Sequence, residues 1–119
     1  IAARAAGIIP LGLVGSGADY TRIDELREIV RKSRQFGFEG SSCIHPAAVP
    51  VLNEEFNPAQ DEIDNARKII DQFAVSIAAG KAAVEIDGKM VDYPIVYRAE
   101  NLIKKAEAIA AKEAKMKSA

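Results

Sequence analysis

The sequence has too little of several things to belong to many kinds of protein. Its one cysteine, Cys43, cannot form an internal disulfide, which suits a reducing, cytoplasmic setting. The formal net charge is −1, too small to point to nucleic acid or a charged membrane surface as a partner. No apolar run nears the roughly 20 residues that span a bilayer. There is no initiating Met and no signal-peptide pattern. The chain opens Ile1-Ala2-Ala3-Arg4-Ala5-Ala6-Gly7, which reads as the last turns of a helix closed by glycine, so a piece of something longer is expected. What is present is ordinary: 119 residues, 49 % apolar and 28 % charged, bound the answer to one modest globular domain.

Ile8-Ile9-Pro10-Leu11-Gly12-Leu13-Val14 is almost wholly apolar and predicts a short strand buried on both faces. Gly15-Ser16-Gly17-Ala18-Asp19-Tyr20 follows as a loop, either a plain strand-to-helix connection or a glycine-rich turn able to cradle a phosphate. Thr21-Arg22-Ile23-Asp24 resembles a capping box, and Ile23, Leu26, Ile29, Val30 and Phe36 recur at helical spacing until Gly37. Gly40-Ser41-Ser42-Cys43-Ile44-His45-Pro46 predicts a second buried strand, with Cys43 an inert core thiol. His45, at the C-terminal end of that strand, either faces a ligand or caps the next turn. Pro46 and Pro50 shape a tight passage onward.

Asn57-Pro58-Ala59-Gln60 predicts a helix start, with Ile63, Ala66, Ile69, Ile70, Phe73 and Ile77 on one face and Gly80 at the end. Ala82-Ala83-Val84-Glu85-Ile86 then leads into Asp87-Gly88, a hairpin signal because both residues tolerate φ > 0. Lys89-Met90-Val91 forms the return strand, and a helix with Ile95, Ala99, Leu102, Ile103, Ala106 and Ile109 on its apolar stripe begins near Pro94. Beyond Ala110 only a solvated, fraying end is expected. Asp92 falls where hairpin becomes helix. By itself it is most often an N-cap; alternatively it is an acid held on a stiff elbow for a site elsewhere. Two βα units give an α/β class with a parallel sheet, and two parallel strands need others beside them.

Phe36-Gly37-Phe38-Glu39-Gly40, Ile44-His45-Pro46 and Asp87-Gly88-Lys89-Met90-Val91-Asp92-Tyr93-Pro94 together resemble the citrate lyase β-subunit-like family. These are CoA-ester lyases of the HpcH/HpaI aldolase superfamily, citryl-CoA and malyl-CoA lyases among them. Their usual patterns read G-F-D/E-G, I-H-P-x-Q and D-G-K-M-I/V-D-x-P. The resemblance covers roughly residues 1–109 and departs at Ala48, where the usual residue is Gln, and in the 15–19 loop.

The resemblance implies the C-terminal part of a (β/α)8 TIM barrel over residues 1–80, then a hairpin-helix extension over 81–119 that packs on a neighbouring subunit. It also implies reversible Claisen-type cleavage of a 3-hydroxyacyl-CoA, citryl-CoA or malyl-CoA, to acetyl-CoA and a keto acid. Asp92 would be the general acid/base, lent to a neighbouring copy in a homo-oligomer, a trimer or hexamer. Ile44, His45 and Pro46 would lie along the CoA thioester. Mg²⁺ would be held by residues of the N-terminal part, none of which is in this chain, so the piece alone is expected to be inactive. The alternatives are an α/β interaction module without catalysis and a paralogue that has lost activity.

Overall fold

A one-turn helix α1, Ala2–Ala5, comes first in the computed structural model, which describes residues 1–16 and 21–119, and the helical pattern of the first half becomes α2, Ile23–Gln35. Leu26, Val30 and Ser33 form its buried face. Gly37, at φ 96°, lets the chain turn away at its end, a conformation that strains a residue with a Cβ. Phe36, expected on the apolar face, is instead the C-cap residue and 69 % exposed. The N-cap is Arg22 rather than Thr21; its side chain makes no bond to the helix end and pairs with Glu25.

Against α2 packs a helix that the sequence reading passed over, α3 (Val49–Phe56), entered through a 3-10 turn at Pro46–Ala48. Pro46 and Pro50 suggested only a passage, yet proline is tolerated in a first turn, where the N–H groups have no partner anyway. Val51, Leu52 and Phe56 join Leu26, Val30 and Ala48 in one core, with Leu13, Ile23 and Phe38 against it. Ser33 Oγ donates to the Ile29 carbonyl at 2.7 Å and accepts from the Val14 N–H at 2.8 Å, tying the segment before the helix to its buried face.

Between α2 and α3 lies a cluster of charges. Arg27 Nη1 donates to Glu54 and to Glu55 at 2.7 Å each, and Arg31 Nε donates to Glu55 at 2.8 Å. Burial pushes the Glu55 carboxyl up, but the hydrogen bonds from Arg31 and Arg27 outweigh it and hold it below the usual carboxylate range. A carboxyl depressed in the folded state adds stability that is present at neutral pH and lost as pH falls through its folded value. Unit 1–57 should therefore lose stability on acidification from about pH 4.5 downward, and Glu55→Gln should flatten that acid limb. Denaturation midpoints measured from pH 6 to pH 3 check this; identical pH profiles for the two proteins would contradict it.

The two expected parallel strands form only a trace. Leu11 and Gly40 make one isolated parallel bridge, with Gly12 N–H on the Gly40 carbonyl and Glu39 N–H on the Pro10 carbonyl, 2.9 Å each. Ile8, Ile9 and Leu11 are 62–68 % exposed. An apolar run predicts burial only where neighbours exist to cover it, and Pro10 has no N–H to give to a ladder. Of the 15–20 loop, residues 17–20 lie outside the described residues.

Residues 58–119 form a second compact unit, residues 1–57 being the first. Here α4 (Gln60–Ala78) and α5 (Tyr93–Ser118) are joined by a hairpin of β1 (Val84–Ile86) and β2 (Lys89–Val91), antiparallel, with Val84 opposite Val91 and Ile86 opposite Lys89. Asp87 at φ 50° and Gly88 at φ 75° make the turn. Phe73, Ile86, Val91 and Val96 are the core. The cap of α4 is Ala59 rather than Asn57: Glu62 reaches back to accept from the Ala59 N–H at 2.8 Å. The last helix does not end near Ala110 but runs to Ser118 with every residue from Ala110 exposed. Ala, Lys and Glu are strong helix formers, and Glu113 stands four residues before Lys117, the favoured order. Among the described residues no helix is long and apolar enough to cross a membrane.

Candidate functional site

Asp92 sits between two secured neighbours. Val91, the last residue of β2, is 3 % exposed in the core. Tyr93, the first residue of α5, places its ring edge-on to Phe73 of α4, centroids 5.1 Å apart and planes at 79°. Asp92 itself is extended, at φ −127° and ψ −178°, and its carbonyl accepts the N–H groups of Ile95 and Val96 at 3.1 Å each. Its carboxylate makes no capping bond to the helix and is exposed. It occupies the N-cap position without using its side chain as a cap. The turn of the hairpin is pinned as well, since Lys68 Nζ of α4 donates to both Asp87 carboxylate oxygens, at 2.9 and 2.7 Å.

In the other unit, the segment 41–45 is not the buried strand that was expected. Cys43 is exposed, so its thiol is not a core group, and Ile44 is 78 % exposed. His45 is extended and half-buried, and its Nδ1 accepts the Ala47 N–H at 3.1 Å, capping the 3-10 turn. With Nδ1 accepting, the neutral ring carries its proton on Nε2. Pro46 begins the turn and is exposed. Beside this segment opens a cavity of about 240 Å³, lined by Leu13, Leu26, Ile44 and Leu52, with Ser42 and Cys43 among its polar groups. Asp92 belongs to unit 58–119, whereas Ile44, His45 and Pro46 belong to unit 1–57.

Other acids have partners of their own. Glu39 meets Arg4 at 2.6 Å, Glu54 and Glu55 meet α2, and Asp87 meets Lys68. Among the described residues, no three His, Cys, Asp or Glu side chains come together as a metal site. The ring contact of Tyr93 was not foreseen. Its only sequence signal is an aromatic residue directly after the singled-out acid.

Solved structures define the class to which this arrangement belongs. CitE from Mycobacterium tuberculosis, determined in complex with magnesium, acetoacetate and coenzyme A, superposes with a TM-score of 0.74 at 27 % identity, over 89 % of this chain and 38 % of that one. A citrate lyase from Burkholderia xenovorans LB400 shares the fold at a TM-score of 0.65 and 19 % identity. The chain thus shares its fold with a part of these two α/β proteins, 38 % and 33 % of their chains.

Sequence relatives narrow this further. Citrate lyase subunit beta of Escherichia coli K12 is 34 % identical over 108 residues, 89 % of this chain and 34 % of that protein. The (3S)-malyl-CoA thioesterase of Cereibacter sphaeroides is 37 % identical over 112 residues, and the L-malyl-CoA/beta-methylmalyl-CoA lyase of that species 32 % over 110. Over about nine-tenths of its length the chain is similar to these citrate lyase β-subunit and malyl-CoA proteins, and it spans roughly a third of their length. No protein-family model matches it.

Proposed function

We propose that the chain is the C-terminal portion of a CoA-ester lyase, the last βα units of a (β/α)8 barrel followed by a hairpin-helix extension. In this reading it serves reversible Claisen-type cleavage of a 3-hydroxyacyl-CoA of the citryl-CoA or malyl-CoA kind. The observation that carries the reading is the Asp92 carboxylate, exposed on a braced elbow and not spent on capping α5.

The chemistry assigns it one task. The bond between the α and β carbons breaks, its electron pair goes to the α carbon as the acetyl-CoA enolate, and the β-hydroxyl gives its proton to a base outside this chain as it becomes the keto oxygen. Protonated Asp92 then gives its proton to the enolate carbon, yielding acetyl-CoA. In the reverse direction its carboxylate removes that proton. Braced on both sides, Asp92 would act in the site of a neighbouring copy, which makes the enzyme a homo-oligomer, a trimer or hexamer, in the cytoplasm. The cavity beside Ile44 accepts part of the CoA arm, with His45 and Pro46 holding the turn beneath it. Mg²⁺, present in the Mycobacterium tuberculosis structure, would be held by residues outside this chain.

One relative is named a thioesterase, which favours CoA-thioester hydrolysis as a second reading. The test is to give the natural protein that carries this chain citryl-CoA or malyl-CoA with Mg²⁺ and to follow the products. Acetyl-CoA with an equal amount of keto acid is the expected result, and the 119-residue chain alone should turn over nothing. Free CoA with the hydroxy acid intact would favour the thioesterase. No turnover of any CoA ester by the natural protein would favour an interaction module or an inactive paralogue.

A further inference from the structure

Asp92 has no side-chain bond of its own to fix it at the helix start, so whatever aims it must act through its neighbours. On one side Val91 does this by burial, paired with Val84 and packed near Phe73, Ile86 and Val96. On the other side, Ile95 and Val96 donate to the Asp92 carbonyl and Val96 lies in the core, and one ring contact adds to them. The Tyr93 ring meets the edge of Phe73, a residue 5 % exposed on the long helix α4, although Tyr93 itself is 48 % exposed. A half-exposed ring contributes little burial, but it adds a contact with α4 at the residue directly after Asp92.

We propose that Tyr93 is a positioning residue for Asp92, acting through its ring contact with Phe73. The inference rests on Asp92 being the acid/base proposed above. Tyr93 touches no reacting atom: its ring holds the Asp92 backbone so that the carboxylate approaches the substrate carbon from one direction. Its hydroxyl is not needed. A misplacement of about 1 Å can cost roughly 100-fold in rate without loss of substrate affinity.

The experiment compares Tyr93→Ala, Tyr93→Phe and Asp92→Asn in the natural protein, with kcat and KM for CoA-ester cleavage and a thermal denaturation midpoint for each. Tyr93→Ala should lower kcat by about 10- to 100-fold with KM within about twofold of the parent, and Tyr93→Phe should keep most of the parent rate. A purely structural role would lower the midpoint and the amount of folded enzyme but leave kcat per folded molecule alone, and that outcome overturns the proposal. So does a Tyr93→Phe variant as slow as Tyr93→Ala, which would make the hydroxyl the working part. If Asp92→Asn is slow while Tyr93→Ala matches the parent, positioning by Tyr93 is wrong and the role of Asp92 stands. If Asp92→Asn matches the parent, both fall together.

Discussion

Asp92→Asn in the natural protein is expected to lower kcat for CoA-ester cleavage by about 10²- to 10⁴-fold, the usual worth of a positioned acid/base. KM should change little, because the proton moves only after the ester is bound. The substitution is nearly isosteric and removes a group that holds nothing in its own unit, so folding should be unaffected. Had the carboxylate capped α5, its loss would have cost about 1 kcal/mol of stability. A denaturation midpoint equal to the parent's, beside a large fall in kcat, is thus the joint signature. A stable variant with the parent rate would remove the catalytic reading, and a destabilised variant with the parent rate would restore the N-cap reading.

Phe73→Ala is the second large effect, and it acts on stability. Phe73 is 5 % exposed and stands at the centre of the core that joins α4, the hairpin and the start of α5. Emptying such a site costs about 3–5 kcal/mol, lost transfer energy plus a cavity. Small domains have roughly 5–15 kcal/mol in total, so the unit built on this core should be largely lost or loosened at 37 °C. Activity should fall with the fraction of folded protein and, because Tyr93 loses its ring partner, also in kcat per folded molecule. Phe73→Leu keeps most of the volume and should cost less than about 1.5 kcal/mol. Urea denaturation of the three proteins checks the order; a Phe73→Ala midpoint within error of the parent's would show that the core does not depend on this ring.

Much of this architecture could be read from local chemistry. Asp87-Gly88 marks the turn because few other pairs accept two positive φ angles side by side, and the structure has both. The long helices are legible for a similar reason, since Leu26 and Val30, or Ala66 and Phe73, recur on one face. The helix α3 was not legible, because Pro46 before it and Pro50 within it look like loop signals and its eight residues are too few for a period to show. The runs 8–14 and 40–46 misled in the other direction. Their composition describes what surrounds a strand in a complete sheet, whereas a strand forms only where a neighbour offers N–H and carbonyl groups.

The candidate site divides in the same way. That an acid would stand at the junction of β2 and α5 follows from turn and proline chemistry. Whether its carboxylate caps the helix depends on a rotamer, and Asp has the right shape for either outcome. The contact between Tyr93 and Phe73 joins residues on different elements, and no periodicity within either predicts it. His45 poses the same question, and its Nδ1 accepts the Ala47 N–H.

The most direct measurement is of the proton itself. Acetyl-CoA incubated in D₂O with the natural protein and Mg²⁺ should take up deuterium in its methyl group, because Asp92 would remove and return that proton. The account predicts exchange with the parent protein and its loss in Asp92→Asn. Equal exchange rates in the two proteins would contradict it.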